Sequence, residues 1–130
     1  MSLFLDSSFL ISLIVETQFT EKAKKLLETH IDEDFYTSIT VIEETLYVLR
    51  RLLKETKREN ISRIKLVLDE LDVSVLEELS MSDFLDVYSN YDLLPNDALI
   101  AATCKHYGIK KIATFDEDFK RVDFLEVLEL

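Results

Sequence analysis

Hydrophobic and polar residues follow two different spacings along this chain, and each spacing predicts a different element. Apolar residues that recur every three or four positions are typical of helices that bury one face. Short runs in which apolar residues alternate or cluster are typical of strands. The helical spacing covers residues 7–16, 19–30, 39–55, 57–71, 80–92 and 96–109. The strand spacing covers residues 2–6, 35–38, 72–77, 110–116 and 125–130.

Strands and helices alternate from one end of the chain to the other. This order predicts an α/β fold, a three-layer α/β/α sandwich with a central, mostly parallel sheet of about five strands. A single Gly and a single Pro favour long helices with few tight turns over a β-sandwich or barrel. No repeat or linker interrupts the pattern, and 130 residues suit one compact unit, so residues 1–130 are predicted to form a single domain.

The apolar rows of the helices predict which side chains are buried. The helix at 39–55 is expected to bury Ile42, Leu46, Leu49 and Leu53, and the helix at 57–71 to bury Ile61, Ile64, Leu68 and Leu71. In the segment "NDALIAATCKHYGI" the buried row contains Ile100, Ala101 and Cys104. That row begins with an acid, Asp97. A carboxylate in line with a core row is unusual, and it directs attention to the other acids.

Four acids are predicted to meet at one edge of the sheet. Asp6 ends the first strand, Asp116 ends the strand at 110–116, and Glu44 and Asp97 lie near the starts of their helices. In right-handed β–α–β units the carboxyl ends of strands and the starts of the following helices share one rim, where ligands bind. Glu44 shares a helical row with apolar Val41 and is therefore preferred to its neighbour Glu43.

Carboxylates that converge repel one another unless a cation lies between them. An oxygen-only site suits Mg²⁺ or Mn²⁺, and such ions assist phosphodiester hydrolysis. Each acid also has an ordinary interpretation when taken alone. Asp97 could sit favourably on a helix dipole, Asp6 could be a turn or cap residue, Glu44 could be solvated, and Asp116 could belong to a plain acidic loop.

Charge is unevenly distributed along the chain. The net charge is −11, from 26 acidic and 15 basic side chains, which argues against a protein that coats nucleic acid. The stretch from 50 to 65 is basic, however, and contains Arg50, Arg51, Lys54, Lys57, Arg58, Arg63 and Lys65. It is either a solvated helix end and connection or a surface that contacts phosphates. The first five of these residues are the candidates for RNA binding.

The remaining composition limits the compartment. Cys104 is the only cysteine, so an internal disulfide is excluded, and a reducing cytoplasm is expected. Cys104 itself is interpreted as a small core residue. The longest apolar runs are short, such as the one at 9–15, so the sequence predicts neither a signal peptide nor a membrane span.

Four stretches of the chain resemble the PIN domain family. They are "FLDSSFLISL", "TSITVIEETLYVL", "NDALIAATCKHYGI" and "IATFDEDF", in the order and approximate spacing of that family. The resemblance covers nearly the whole chain and is greatest to the small prokaryotic members, including the VapC-like toxins of toxin–antitoxin pairs. "DALIAAT" and "TFDEDF" are the most specific stretches.

The resemblance implies an α/β/α sandwich and an Mg²⁺- or Mn²⁺-dependent ribonuclease site. By motif position it implies that Asp6, Glu44, Asp97 and Asp116 are the catalytic and metal-binding residues. It also implies supporting roles for Ser7, Thr114 and Asp118. One departure is found after the first Asp, where the family often has Thr-Asn and this chain has Ser7 and Ser8, which keeps a hydroxyl and loses an amide.

The resemblance further implies partners, namely an RNA substrate, a cognate antitoxin and a second copy of the chain. Apolar residues on the helices at 39–71 could supply a dimer surface. The resulting hypothesis is a single-domain, metal-dependent endoribonuclease. An alternative is an acidic α/β module that binds a metal or a basic protein without catalysis. A phosphoacceptor domain of the receiver type is a third possibility, but the lysine after a strand and the early acidic pair that it needs are missing.

Overall fold

The computed structural model describes residues 1–129, and it contains five strands and six helices over that range. The strands are β1 (Ser2–Leu5), β2 (Asp34–Ser38), β3 (Ser74–Leu76), β4 (Lys111–Ala113) and β5 (Glu126–Val127). The helices are α1 (Ser7–Ile14), α2 (Thr20–Thr29), α3 (Ile39–Leu52), α4 (Lys57–Glu70), α5 (Met81–Asn90) and α6 (Pro95–Tyr107). A short 3₁₀ helix, Glu117–Arg121, follows β4.

The five strands form one parallel sheet in the order β3-β2-β1-β4-β5. The predicted α/β class and parallel five-stranded sheet are therefore confirmed. The chain passes from β1 to β2 and β3 on one side and returns to β4 and β5 on the other. The order reverses between β1 and β4, and a crevice opens at the carboxyl ends of two such strands.

The helices divide into two groups according to the strands they connect. Helices α1 to α4 join β1, β2 and β3 in one direction, whereas α5 and α6 cross back to β4. Right-handed crossovers in opposite directions place the two groups on opposite faces of the sheet. Consistent with this, α1 packs against α2, α3 and α4, and α5 packs against α6. The result is the three-layer arrangement expected from the sequence.

The core lies around β1 and α6. Leu3, Phe4 and Leu5 of β1 are buried because neighbouring strands and both helical layers cover them. Helix α6 buries seven residues, including Cys104, and packs against α5. Burial raises the pKa of the Cys104 thiol, which keeps it protonated and inert, as expected of a core residue. Gly108 ends α6 at φ 70, in the left-handed region that favours glycine.

The predicted core row of α3 is confirmed at Leu49 and displaced by one position at Ile42 and Leu46. The buried residues are Val41, Thr45 and Leu49, whereas Ile42, Leu46 and Leu53 are only half-buried. Thr45 tolerates burial because its hydroxyl donates to the Val41 carbonyl at 2.8 Å. A row selected for hydrophobicity alone cannot include a threonine. In α4, Ile64 is buried as predicted, but Ile61 is 43% exposed.

Two further differences concern element ends. The first helix, predicted over 7–16, ends at Ile14, and the residue in its cap position is Asp6, whose side chain makes no capping hydrogen bond. The final strand is shorter than the predicted 125–130 segment, and Leu130 lies outside the described residues. Within residues 1–129, none of the helices has both the length and the apolar content that crossing a membrane requires.

Candidate metal centre at the carboxyl edge of the sheet

Asp6 lies at the crevice between β1 and β4 because of strand register. Leu5 pairs with Ala113, so the next residues, Asp6 and Thr114, leave the two strands side by side. The Thr114 hydroxyl donates to Asp6 Oδ2 at 2.6 Å. Asp6 is only 3% exposed, and this burial raises its pKa even though hydrogen bonds from Thr114, Ser7 and Ser8 favour the ionised form. The carboxylate is therefore a buried acid held in one position.

Ser8 connects the same two strand ends, a role that the sequence pattern does not predict. Its hydroxyl lies 3.3 Å from Asp6 Oδ2 and 3.2 Å from Thr114 Oγ1. It also accepts a hydrogen bond from the Phe115 backbone N–H at 2.9 Å. Because the PIN domain family often has an asparagine at this position, the resemblance predicts only the loss of an amide. In the structure Ser8 fixes Asp6 relative to the segment that carries Asp116.

Asp116 and Asp118 are brought together by a turn that the sequence pattern does not predict. Asp116 caps the 3₁₀ helix, because its Oδ1 accepts the Asp118 backbone N–H at 2.9 Å. This local bond folds the chain so that carboxylates two residues apart reach the same cleft. The Asp116 backbone N–H in turn donates to Thr114 Oγ1 at 3.0 Å. An Asp-x-Asp sequence after a strand is the signal from which this turn could be inferred.

Asp97 completes a group of three acids. Pro95 occupies the first turn of α6, where its missing N–H costs nothing, and Asp97 follows in the same turn. One carboxylate oxygen each from Asp97, Asp116 and Asp118 lie within 4.8 Å of one another. Burial raises the pKa of Asp97 to about 6, and the charges of Asp116, Asp6 and Asp118 contribute to that rise. Within residues 1–129 no other group of three potential metal ligands is as close.

Glu44 borders this group from α3. It is half-buried and its neighbour Glu43 is exposed, which agrees with the helical row on which Glu44 is preferred. Ser7 Oγ and Asn96 Nδ2 each donate to the Glu44 carboxylate at 3.4 Å. Burial raises the pKa of Glu44 to about 7, with further contributions from the charges of Asp6 and Asp97. Asn96, which the sequence pattern does not single out, supplies an amide beside the acids.

The acids open onto a cleft of about 460 Å³ at the carboxyl edge of the sheet. Its walls are formed by Glu44, Leu94, Pro95, Asn96, Asp97, Asp116 and Asp118. Asp6 lies beneath the cleft and does not line it. The four predicted acids therefore lie around one cleft. The closest group differs from the predicted set, because Asp118 joins Asp97 and Asp116 while Asp6 and Glu44 lie outside it.

The donor set fits a hard divalent cation. All the side chains are oxygen donors, and their raised pKa values arise in part from mutual repulsion that a cation would relieve. Two ligand oxygens 2.0–2.1 Å from one ion can be no more than about 4.2 Å apart. Oxygens within 4.8 Å of one another are close to that limit. Small side-chain movements of Asp97, Asp116 and Asp118 would therefore complete such a site.

The basic residues lie away from this cleft. Arg50 is six residues beyond Glu44 on α3, which corresponds to about 9 Å along the helix axis. Arg50 and Lys57 line a different cavity of about 260 Å³ with Leu46, Tyr47, Asn60 and Ile61. Arg51 lies over the Tyr47 ring at 5.9 Å. Arg50, Arg51, Lys54, Lys57 and Arg58 are exposed. Their role in RNA binding stays a prediction.

Comparisons with known proteins show which sequences and folds this chain resembles. The sequence model of the family described as "PIN domain" matches residues 3–125. Ribonuclease VapC2 of Methanocaldococcus jannaschii is 39% identical over 123 residues, covering 84% of this chain and 83% of that protein. Ribonuclease VapC6 of the same organism is 33% identical over 152 residues, covering 98% and 97%. A toxin-antitoxin complex from Klebsiella pneumoniae contains a chain with a TM-score of 0.73 at 20% identity, covering 99% and 97%.

Proposed function

The chain belongs to the PIN domain family, and from that premise we propose that it is a metal-dependent endoribonuclease acting at the acidic cleft. The observation that carries the proposal is the group of three carboxylates, Asp97, Asp116 and Asp118, within 4.8 Å of one another. Asp6 and Glu44 adjoin the group and share its charge repulsion. The names of the two archaeal relatives support ribonuclease activity and RNA as the substrate.

The acids would have different roles at the cleft. Asp97, Asp116 and Asp118 would hold Mg²⁺ or Mn²⁺, and Asp6 would complete the site from below. A bound divalent cation supplies Lewis-acid stabilisation of the charge that develops on the phosphodiester. Glu44, which accepts hydrogen bonds from Ser7 and Asn96, would orient an attacking water and accept its proton.

The direct test is cleavage of single-stranded RNA in Mg²⁺ or Mn²⁺. We expect endonucleolytic products that disappear when EDTA removes the cation and return when Mg²⁺ is added in excess. A calorimetric titration with Mg²⁺ should be run beside it. Cation binding without cleavage would replace the proposal by the alternative of an acidic binding module. Cleavage that persists in EDTA would show that the acids do not act through a cation.

We also propose that the basic surface of α3 and the following loop binds the RNA backbone. Replacing Arg50, Arg51 and Lys54 by Ala should weaken RNA binding and flatten its salt dependence. Each basic side chain that neutralises a phosphate of single-stranded RNA adds about 0.7 to the slope of log affinity against log salt, so removing three should reduce the slope by about 2. The measurement is the affinity for a labelled oligoribonucleotide at several salt concentrations.

A matched control for the basic surface removes the same charge elsewhere. Lys24 and Lys25 on α2 and Lys110 before β4 are exposed, and they line neither the acidic cleft nor the cavity beside Arg50. Their triple replacement by Ala should leave the slope close to that of the parent protein. If both triple variants change the slope equally, the effect is one of net charge and the surface has no specific role.

Two further proposals concern partners. The resemblance to a chain of a toxin-antitoxin complex supports a cognate antitoxin as a protein partner. Exposed apolar residues on α3 and α4, among them Tyr47, Leu52 and Ile61, support a homodimer through those helices. Sedimentation velocity of the protein, alone and with the product of a neighbouring short reading frame, distinguishes monomer, dimer and complex. An RNA substrate and a single unpaired thiol favour a cytoplasmic location.

A further inference from the structure

A second cavity lies beside the acidic cleft. Its volume is about 400 Å³, within the range of sites that hold small molecules or nucleotides. Asp116 lines both this cavity and the cleft, so the two spaces meet at that carboxylate. A bound polynucleotide that crosses the cleft can therefore continue into the second cavity without leaving the protein surface.

Aromatic rings form one wall of this cavity. Phe19 and Phe115 both line it, and their rings are stacked with centroids 4.5 Å apart and planes 8° from parallel. Phe115 also stacks on Phe9, whose ring centroid is 6.0 Å away and which is fully buried. The stack therefore extends from the core to the cavity wall, where Phe19 and Phe115 are partly exposed. Rings held in this way are the surfaces on which unstacked bases bind.

Two lysines, Lys22 and Lys120, line the cavity together with the acids Asp116, Glu117 and Glu129. Lys120 is already paired, because its Nζ lies 2.7 Å from Glu117 and 2.5 Å from Glu129. Lys22 lies one helical turn from Phe19 on the same side of α2. Lys22 is absent from the salt bridges formed within residues 1–129. Lys22 is thus the cation that can reach a phosphate oxygen beside the rings.

From these observations we propose that the cavity receives one base of the RNA substrate, next to the phosphate that is cleaved. The base stacks on Phe19, the outer ring of the stack, and Lys22 contacts an adjacent phosphate. The inference rests on the proposed ribonuclease function and adds a substrate subsite to it. Because every base has an apolar face, stacking of this kind fixes where a nucleotide binds while discriminating weakly between bases.

Phe19 is the residue through which the subsite can be tested. The Phe115 backbone is bonded to Ser8 and Phe115 directly precedes Asp116, so changing Phe115 would disturb the acids. The chain contains no tryptophan. Phe19→Trp therefore introduces a single fluorophore in the cavity wall. In an Asp97→Asn background, in which cleavage is expected to be about 10²- to 10³-fold slower, adding octaadenylate in Mg²⁺ should quench the tryptophan emission saturably.

Two controls make that measurement specific. An abasic ribose-phosphate chain of the same length should bind without quenching, and a tryptophan at exposed position 88 of α5, introduced as Tyr88→Trp, should not respond to octaadenylate. Equal quenching by the abasic chain would overturn the proposal. So would unchanged Phe19→Trp emission under conditions in which fluorescence anisotropy shows that labelled octaadenylate is bound.

The kinetic test uses the intact acidic site. Phe19→Leu keeps an apolar side chain but removes the ring, and we expect KM for RNA to rise roughly 5- to 100-fold while kcat changes less than about twofold. Phe19→Tyr should restore the parent KM, and Phe124→Leu, which removes a partly buried ring outside this cavity, should leave it unchanged.

The kinetic outcomes separate the subsite from the proposed function. If the parent protein cleaves RNA and Phe19→Leu leaves KM unchanged, the subsite is wrong and the ribonuclease function stands. If Phe19→Leu lowers kcat and the Tm together without raising KM, the ring serves only to pack the core. A parent protein that binds but does not cleave RNA would overturn the function, while quenching of Phe19→Trp would still report base stacking.

Discussion

An Asp97→Asn variant should lose about 10²- to 10³-fold in kcat/KM for RNA cleavage in Mg²⁺ while remaining folded. Asparagine has nearly the same shape as aspartate but carries no charge, so the main change is the loss of one anionic oxygen donor beside Asp116 and Asp118. The measurement is the initial rate of cleavage of a labelled oligoribonucleotide at several concentrations. Circular dichroism should show an unchanged fold.

The Tm of the Asp97→Asn variant without metal should rise, although its activity falls. The pKa of Asp97 is raised to about 6, by burial first and by neighbouring carboxylates second, so its ionised form destabilises the folded state at pH 8. Removing that charge should raise the Tm in EDTA by a few degrees, about 2–5 °C for a chain of this size. Gain of stability with loss of activity is the signature of a site in which function, and not folding, requires the charge.

Asp32→Asn is the matched control for this prediction. Asp32 is an exposed acid in the loop after α2 and lies outside the acidic cleft, so the substitution removes the same charge without touching the site. It should leave both cleavage and the Tm close to those of the parent. The assignment of Asp97 to the metal centre is wrong if Asp97→Asn cleaves RNA as fast as Asp32→Asn does.

The acids at strand ends can be located from the sequence because strand topology alone determines which rim they share. Asp6 and Asp116 follow paired strands, and no side-chain detail is needed to bring them together. Glu44 follows from helical periodicity, which separates the half-buried Glu44 from the exposed Glu43. These are consequences of backbone geometry, and periodic patterns report backbone geometry well.

The features that the sequence pattern does not predict depend on individual hydrogen bonds. Asp118 joins the closest acids because the Asp116 side chain accepts its backbone N–H, and periodicity carries no information about such a turn. Ser8 and Asn96 act through bonds to residues that are distant in the chain. The burial of Thr45 in α3 has a similar origin, because its hydroxyl is satisfied by the Val41 carbonyl.

The second large effect expected is a dependence of cation affinity on pH. Glu44, with a pKa raised to about 7, and Asp97, with a pKa raised to about 6, must be ionised beside a bound cation. Each proton displaced on binding changes affinity by up to tenfold per pH unit. Between pH 5.5 and 7.5 the affinity for Mg²⁺ should therefore rise about 10²-fold, as measured by titration calorimetry, and cleavage at subsaturating Mg²⁺ should rise with it.

The stability of the metal-free protein should depend on pH in the opposite direction and fall as the pH rises. The folded pKa values of Glu44 and Asp97 lie above the ordinary values of 4.5 and 3.8, so folding favours the protonated carboxyls. Their contribution to stability is fully present below about pH 4 and is lost as the pH rises to about 7. Mg²⁺ should offset this loss, so the Tm increase that it causes should be larger at pH 7.5 than at pH 5.5.

The adjacent pair Glu43 and Glu44 provides the control that isolates this titration from the other acids of the chain. Glu44→Gln removes a half-buried acid beside Asp6 and Asp97, whereas Glu43→Gln removes an exposed one. Subtracting the Tm of each variant from that of the parent cancels titrations common to both proteins. The difference for Glu44→Gln should become more negative from pH 4.5 to 7.5 in EDTA, because the parent alone bears the cost of ionising Glu44. The difference for Glu43→Gln should stay flat, and equal slopes for the two variants would place Glu44 outside the repelling cluster.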